Sequence, residues 1–241
     1  MTPEQARNQY DVQGFIHFPG AFEPDELAEV QEGFERAAEE KALGDLLNRE
    51  PIFLSLIDHP AWFPAIRAVV GNDVMLRYLR GGIIPAQAES GSGWHCDLST
   101  IRAINLPESI IMTKLFVYLA DLPEDGACLA VVPGSHRYQM GHPLPDIATH
   151  EDMPHHRKLL MKAGDAVLMS GYTWHARFHN RSDQARKVLE SSYIHFWMKT
   201  QYELSDFKPE VQERILASHN LRQLFGVQEP GVSDWERRLL P

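Results

Sequence analysis

Hydrophobic and polar positions in the first part of the chain predict short strands between helices. The apolar stretch from Val12 to Phe18 ends at a Pro-Gly pair and predicts a short strand after a first helix. A second helix is predicted from Pro24, where acidic residues follow the proline and apolar residues recur at helical spacing at positions 27, 30, 34 and 37. A weaker repeat of this pattern predicts a helix over 60–70, which ends at Gly71, and then a strand over 74–80.

From residue 94 onward the pattern changes to short apolar runs separated by turns. Runs over 113–119 and 128–132 flank an Asp125-Gly126 turn that is typical of a hairpin, and further strands are predicted over 166–169 and 187–198. Such a series predicts a β-sandwich or barrel. Residues 137–160 are rich in His and Pro without periodicity and are interpreted as a lid loop, while residues 209–226 predict a closing helical segment.

Length, composition and charge limit the class of protein. We expect one domain over 1–241, with 1–80 as a supporting region and 90–200 as the β core. The net charge of -10 argues against a nucleic-acid partner, because phosphates are bound by clustered Lys and Arg. There is no apolar run of roughly 18 residues and no secretory signal pattern, and two cysteines make no disulfide framework, so a cytoplasmic protein without a membrane span is predicted.

Residues 94–99, WHCDLS, contain a candidate half of a metal site. Side chains alternate between the two faces of a strand, so His95 and Asp97 would share one face while Cys96 points away. An imidazole with a carboxylate suits Fe(II) or Mn(II) better than a structural zinc site, which favours thiolates. Because His-x-Asp is common by chance, a third ligand is needed.

The 12 histidines of the chain offer several third ligands. His175 follows a predicted strand and turn, where a closing barrel would bring it beside the first pair, and His179 is its rival on the same stretch. Histidines at 142, 150, 155 and 156 are interpreted as solvated lid residues, those at 17, 59, 195 and 219 as packing or surface residues, and His136 as a residue that holds its own loop.

Two imidazoles and one carboxylate on one face of an octahedron leave three coordination positions, the arrangement of non-haem Fe(II) oxygenases. A 2-oxo acid can occupy two of them and dioxygen the third. The distal carboxylate of such an acid needs a fixed partner, and the planar fork of an arginine matches it. Arg186 is the candidate, with a surface arginine as the alternative; if it points inward, alternation places Val188, Glu190 and Ser192 on the same face.

Several stretches together resemble the phytanoyl-CoA dioxygenase (PhyH-like) family of Fe(II)/2-oxoglutarate-dependent oxygenases. They are YDVQGFIHFPGAFEPDEL (10–27), the WHCD iron motif, DGACLAVVPGSHR (125–137) and AGDAVLMSGYTWHARFHNRSDQAR (163–186), in the family's order. The resemblance implies a mainly β, double-stranded β-helix (jelly-roll) core with helices packed outside. It also implies iron at His95, Asp97 and His175, and the distal carboxylate of 2-oxoglutarate at Arg186.

Two departures from the family pattern bear on the substrate. Arg177 stands where many members place a small hydroxyl residue that helps to hold the co-substrate. The chain is also shorter than members that accept fatty acyl-CoA and shows no extra basic surface, so acyl-CoA is not the expected substrate. Asp97 argues against halogenation, because halogenating relatives replace this carboxylate; hydroxylation, desaturation or ring closure is expected, with release of succinate and CO2.

The first substrate shell is predicted from the neighbours of these motifs: Trp94, Leu98, Ser99, Arg102, Trp174 and Arg177. Lys114 lies on an apolar strand, where an unpaired ammonium would be costly, so it is predicted to contact 2-oxoglutarate or substrate; an outward-facing Lys114 is the alternative. A small metabolite or natural-product intermediate is expected, anionic if several basic residues face the iron. A jelly-roll metalloprotein that does not use 2-oxoglutarate remains the alternative function.

Overall fold

The computed structural model describes residues 1–89, 91–98, 112–138 and 143–227. The helices in these ranges are α1 (Pro3–Gln13), α2 (Pro24–Glu39), α3 (Pro51–Ser55), α4 (Phe63–Val70), α5 (Pro209–Ala217) and α6 (His219–Leu224). The strands are β1 (Phe15–Phe18), β2 (Val74–Ile84), β3 (Ser92–His95), β4 (Met112–Tyr118), β5 (Leu129–Val131), β6 (Arg157–Leu159), β7 (Ala166–Ser170), β8 (His175–Arg177) and β9 (Arg186–His195). None of the helices in the described ranges has the length and apolar content needed to cross a membrane.

Helix α1 is closed by caps at both ends, and this corrects one predicted boundary. Thr2 and Gln5 form a capping box at its start, and Gly14 ends it in the left-handed conformation at φ 80°. The predicted strand from Val12 is therefore wrong in its first residues, since Val12 and Gln13 complete the helix and β1 begins at Phe15.

Most of the other predicted elements are confirmed with shifted ends. Helix α2 begins at Pro24 as predicted and buries Val30, Phe34 and Ala37. The helix predicted over 60–70 begins later, at Phe63, and the strand predicted over 74–80 continues to Ile84. The closing segment is two helices, because Ser218 ends α5 and caps α6.

In the described part of the chain, all strand pairs are antiparallel and form two sheets. The larger sheet has the order β1-β7-β4-β9-β2, and the smaller has the order β3-β8-β5-β6. The predicted hairpin between 113–119 and 128–132 is wrong: β4 pairs with β7 and β9, while β5 pairs with β6 and β8. The Asp125-Gly126 turn therefore lies on a crossing between sheets, because apolar alternation identifies a strand without identifying its partner.

The two faces of the larger sheet have different neighbours. Leu189 and Tyr193 of β9 belong to the apolar cluster formed with the helices, whereas Val188 belongs to the cluster that includes residues of the smaller sheet. The alternation along β9 thus turns Arg186, Val188 and Glu190 toward the space between the sheets, as predicted for an inward Arg186.

The predicted lid is only partly a loop. Residues 157–159 form β6, so that end of the prediction is wrong, and residues 139–142 lie outside the described ranges. The Trp94 Nε1–H donates to the carbonyl of His150 at 3.0 Å, and His150 Nε2 bonds the carbonyl of Ser92 at 3.1 Å. The prediction of solvated lid histidines is wrong for His150 and His156, because both are half-buried against Phe178. These contacts tie the segment to the back of the smaller sheet.

Candidate metal centre

Strand pairing in the smaller sheet brings the predicted ligands together. His95 ends β3, His175 begins β8, and the two are register partners, with Asp97 two residues beyond the end of β3. The ligand atoms of His95, Asp97 and His175 all lie within 4.8 Å of one another, and the two imidazole centroids are 4.3 Å apart. A single ion can therefore be reached by all three side chains.

Backbone carbonyls select the same tautomer for both imidazoles. His95 Nδ1 lies 2.7 Å from the carbonyl of Gly93, and His175 Nδ1 lies 2.9 Å from the carbonyl of Thr173. The proton therefore sits on Nδ1 in each ring, which leaves the Nε2 lone pair for a metal. Burial lowers the pKa of His175 well below its ordinary value, with Asp97 opposing the shift and His95 adding to it, so the ring is neutral at pH 7.

One oxygen of Asp97 supplies the test of whether a metal fits. Oδ2 is buried without a hydrogen-bond partner among the described residues and lies 3.8 Å from His175 Nε2. A buried carboxylate oxygen left unpaired is costly, and a divalent cation would satisfy it. Two nitrogen donors and one oxygen donor, without thiolate, suit Fe(II). The residues present therefore fit the metal.

Arg186 begins β9 on the face directed between the sheets and is only 5% exposed. Its guanidinium carbon lies 5.4 Å from the ring centroid of Tyr118, and its Nε has no hydrogen-bond partner among the residues that the structure describes. In the described part of the chain no carboxylate forms an ion pair with Arg186, since Glu190 is paired with Arg80 and Lys114. A buried arginine in this state fits an anionic ligand such as a carboxylate.

Lys114 is largely buried and not outward-facing, with its side chain 12% exposed. Its ammonium lies 2.8 Å from Asp97 Oδ1 and 3.1 Å from Glu190 Oε1. Both carboxylates already pair with the ammonium, so these distances do not favour a contact between Lys114 and 2-oxoglutarate or substrate. That contact stays a prediction.

The other predicted substrate residues occupy three kinds of position. Trp94 and Trp174 pack against the loop segments at His150 and Tyr138, and Leu98 packs with Met112 and Ile194. Arg177 lies on the same strand as His175, two residues further; burial and the nearby Arg186 guanidinium lower its pKa. Ser99 and Arg102 lie outside the described residues.

Sequence reasoning placed Glu190 on the inner face but did not find its contacts behind Asp97 with Lys114, Tyr78 and Arg80. Glu190 Oε1 accepts from the Tyr78 hydroxyl at 2.7 Å, and Glu190 Oε2 accepts from Arg80 Nη2 at 3.0 Å. Burial alone would raise the pKa of Glu190, but Lys114 and the bonds from Tyr78 and Arg80 lower it to about 2. The available signal was the alternation that placed Glu190 on the inner face with Arg186.

A separate cavity of about 950 Å³ lies behind the smaller sheet. It is lined by Trp94, Lys158 and Phe178, which alternation places opposite His95 and His175, and by lid residues 144–151. None of the three candidate ligands lines it, so its walls are distinct from the metal centre.

The sequence of this chain matches a known protein family. The phytanoyl-CoA dioxygenase (PhyH) family model matches residues 10–188, which include strands β1 to β8, Arg186 and the three candidate ligands. The chain belongs to the PhyH family. PhyH enzymes are dioxygenases that depend on Fe(II) and 2-oxoglutarate, so the predicted family, enzyme class and cofactors are confirmed.

Two PhyH-type relatives show how far the similarity extends. Dioxygenase trt7 of Aspergillus terreus is 23% identical over 219 residues, which cover 80% of this chain and 74% of the relative. The ectoine dioxygenase of Streptomyces coelicolor is 24% identical over 149 residues, 54% of this chain and 50% of the relative. The second match thus spans half of that relative's length.

Solved structures confirm the predicted fold. HygX from Streptomyces hygroscopicus, with nickel and 2-oxoglutarate bound, has a TM-score of 0.70 at 19% identity over 82% of this chain and 89% of its own. EctD from S. alaskensis, with 2-oxoglutarate and 5-hydroxyectoine, has a TM-score of 0.69 at 19% identity over 88% of this chain and 84% of its own. This PhyH chain therefore has the jelly-roll core with outer helices that was predicted.

Proposed function

We propose that this chain oxidises a small metabolite or natural-product intermediate at an Fe(II) ion held by His95, Asp97 and His175, with 2-oxoglutarate anchored by Arg186. The observation that carries the proposal is the meeting of two Nε2 lone pairs and an unpaired, buried carboxylate oxygen within 4.8 Å. The family supplies the reaction class, and these positions supply the residues.

The metal-ligand roles follow from the donor atoms. His95 and His175 each present Nε2 because a backbone carbonyl holds the opposite ring nitrogen. Asp97 presents Oδ2 because Lys114 occupies Oδ1. Three protein donors leave the remaining coordination positions for a chelating 2-oxo acid and dioxygen.

Arg186 has the role of binding the distal carboxylate of 2-oxoglutarate. Its fork is buried and without a carboxylate partner in the described ranges, and two parallel charge-assisted bonds would satisfy it. Because it lies on β9 of the larger sheet while the ligand histidines lie on the smaller one, 2-oxoglutarate would span the space between the sheets.

Together with dioxygen, Fe(II) and 2-oxoglutarate supply the oxidising power, and the products are succinate, CO2 and, in the usual outcome, a hydroxylated substrate. The chain's own residues bind and orient the metal, the co-substrate and the substrate, and they keep water away from the site. Leu98, Met112 and Ile194 form an apolar cluster beside the site, which suits an environment from which water is excluded.

The substrate is proposed to be small, and relatives support natural products. SnoK, a carbocyclase, and SnoN, an epimerase, both from nogalamycin biosynthesis, share the fold at TM-scores of 0.65. Arg177 beside Arg186 favours a substrate with an anionic group, while the apolar cluster at Leu98 suits a neutral carbon skeleton. We also propose a single-domain, cytoplasmic enzyme; Cys96 and Cys128 are not joined in a disulfide, which is usual for a protein of a reducing compartment.

The test is succinate formation by protein reconstituted with Fe(II) and 2-oxoglutarate. Wild type is expected to form succinate slowly in air and not under nitrogen, and faster when a metabolite mixture contains the substrate. Asp97→Ala and His175→Ala are expected to abolish succinate formation, because each removes one of three donors.

The matched control is His179→Ala, which removes the rival histidine from the same stretch. It is expected to keep the wild-type rate. Loss of activity in His179→Ala with retention in His175→Ala would overturn the ligand assignment, and no oxygen-dependent succinate from wild type would favour a metalloprotein that does not use 2-oxoglutarate.

A further inference from the structure

A chain of largely buried charged groups connects the candidate metal centre to the larger sheet. Lys114 on β4 lies 2.8 Å from Asp97 Oδ1 and 3.1 Å from Glu190 Oε1 on β9. The side chains of Asp97, Lys114 and Glu190 are 14%, 12% and 16% exposed. At this degree of burial the ion pairs interact more strongly than surface pairs do, because solvent screens them less.

Glu190 is itself fixed from the far side. Its Oε1 accepts from the Tyr78 hydroxyl at 2.7 Å, and its Oε2 accepts from Arg80 at 3.0 Å and 3.3 Å. Tyr78 and Arg80 both lie on β2, the neighbour of β9. Lys114 therefore pairs with a carboxylate on β9 that two residues of β2 hold in place.

The two oxygens of Asp97 differ as a result. Oδ1 is occupied by the ammonium of Lys114, while Oδ2 is buried, has no hydrogen-bond partner in the described residues and faces His175 Nε2 at 3.8 Å. A carboxylate with both oxygens available can bind a metal through two atoms and occupy an additional coordination position. Because Lys114 occupies Oδ1, Asp97 offers only Oδ2 to a metal.

We propose that Lys114 is a positioning residue that makes Asp97 a one-oxygen metal ligand and so preserves the coordination positions that 2-oxoglutarate and dioxygen require. The inference rests on the proposed function and deepens it. It assigns to Lys114 a role different from the 2-oxoglutarate contact predicted from its place on an apolar strand. Outer partners of this kind orient ligands and affect metal affinity strongly.

The experiment measures metal binding in the absence of turnover. Mn(II) affinity of the full chain is measured anaerobically by titration calorimetry for wild type, Lys114→Met and Lys114→Arg. Lys114→Met is expected to weaken Mn(II) binding by about 10- to 100-fold, the usual effect of losing an outer-sphere partner. Lys114→Arg, which keeps a cationic donor, is expected to recover most of that loss.

A second readout reports the ligand geometry directly. The visible absorption of Co(II)-loaded protein depends on coordination number, so Lys114→Met is expected to change the band shape, and Lys114→Arg to restore it. The matched control is Lys187→Met, which removes a lysine of the neighbouring strand β9 that is paired with Glu35 away from the candidate ligands, and it is expected to leave both readouts unchanged.

One variant guards against failure to fold. Lys114→Met leaves the Glu190 carboxylate with Arg80 and Tyr78 as its partners. The double variant Lys114→Met/Glu190→Gln therefore also removes the negative charge that has lost Lys114. It is expected to fold and to show the same weakened Mn(II) binding and altered Co(II) spectrum.

The outcomes separate the two proposals. If wild type binds Mn(II) and the Lys114→Met variants bind it equally well with an unchanged Co(II) spectrum, the positioning role is overturned while the proposed function stands. If only 2-oxoglutarate affinity falls, Lys114 is a co-substrate contact. Failure of wild type to bind either metal overturns both proposals.

Discussion

Backbone carbonyls and a single lysine define the donor atoms of the candidate metal centre. The carbonyls of Gly93 and Thr173 set the imidazole tautomers, and Lys114 leaves one oxygen of Asp97 free. These partners lie close to the ligands in space, but only the two carbonyls are close in sequence. Single residues therefore carry the chemistry, and their neighbours decide which atom of each is available.

Arg186 gives the first test at this scale. Arg186→Lys keeps the positive charge but loses the two-pronged geometry, and Arg186→Met loses both. Since a hydrogen bond to a charged group contributes roughly 1.5–3 kcal/mol, we expect the Kd for 2-oxoglutarate to rise about 10- to 100-fold in Arg186→Met, and less in Arg186→Lys. Anaerobic titration of Mn(II)-loaded protein measures it; an unchanged Kd would contradict the anchoring role.

Glu190 gives a pH-dependent test. Its pKa is about 2 in the folded protein, below the ordinary 4.5, so its ionised form stabilises the fold at neutral pH and that contribution is lost as pH falls from about 4.5 toward 2. Glu190→Gln is expected to lower the free energy of unfolding by about 2 kcal/mol at pH 7, with a difference from wild type that shrinks over this window.

Urea denaturation across pH measures this difference. The same substitution at Glu35, a half-exposed partner of Lys187, is the control and is expected to change stability by less than about 1 kcal/mol. A Glu190→Gln effect that stays constant between pH 7 and pH 3 would contradict the assigned ion network.

At the scale of elements, the end of α1 supports the strand that carries His175. The carbonyl of Gly14 accepts from Ser170 N at 2.9 Å and from the Thr173 hydroxyl at 3.0 Å. His136 Nε2 bonds the carbonyl of Asp11 at 3.1 Å, so the loop of residues 133–137 is held against the same helix end, as predicted for His136. Helix α1, the loop of residues 133–137 and the turn after β7 thus meet directly before His175.

Gly14→Ala is expected to disturb this junction. The residue has φ 80°, and a β-carbon there would lie 2.5 Å from both His136 Nδ1 and Thr173 Oγ1. We expect a loss of about 2–3 kcal/mol in the free energy of unfolding, together with weaker metal binding because Thr173 positions His175. Gly20→Ala is the control, since it shares a positive φ but has nothing within 4 Å, and about 1 kcal/mol is expected.

Chemical denaturation compares the two variants, and Mn(II) titration of the folded protein shows whether the metal centre moves. Equal losses in Gly14→Ala and Gly20→Ala would mean that only backbone conformation matters at Gly14 and that the contacts with His136 and Thr173 do not.

At the scale of the whole molecule, the site joins two sheets. His95 and His175 belong to the smaller sheet, while Lys114, Glu190 and Arg186 belong to the larger one. A ligand that bridges them binds the folded state and not the unfolded chain, so it stabilises the fold by mass action.

Thermal unfolding tests this bridging. Mn(II) with 2-oxoglutarate, each at about 100 times its Kd, is expected to add roughly 2.7 kcal/mol for each ligand and to raise Tm by about 5–10 °C for each, given roughly 2–4 °C per kcal/mol at this size. Asp97→Ala should lose both increments, and Arg186→Met should lower only the second, to roughly 0.4–1.4 kcal/mol, because its Kd is expected to rise about 10- to 100-fold. A 2-oxoglutarate increment that keeps its wild-type size in Arg186→Met would place the co-substrate elsewhere.

The amino-acid sequence by itself predicted most of the longer elements and the candidate site residues, but not α3, β6 or β8. Helical spacing after Pro24, alternation along β9 and the His-x-Asp pair are local patterns, and the order of the motifs indicated the family. Such features depend on neighbours within a few positions, so they can be read without knowing the fold.

Only the tertiary structure decided which strands pair and which groups stand behind the ligands. The turn at Asp125-Gly126 predicted a hairpin, yet β4 and β5 entered different sheets, because strand pairing depends on distant partners. Lys114, Glu190, Tyr78 and Arg80 lie on three strands far apart in sequence, and their charges interact only after the larger sheet forms. Coulomb interactions act through distance in space, which the order of residues along a chain does not encode.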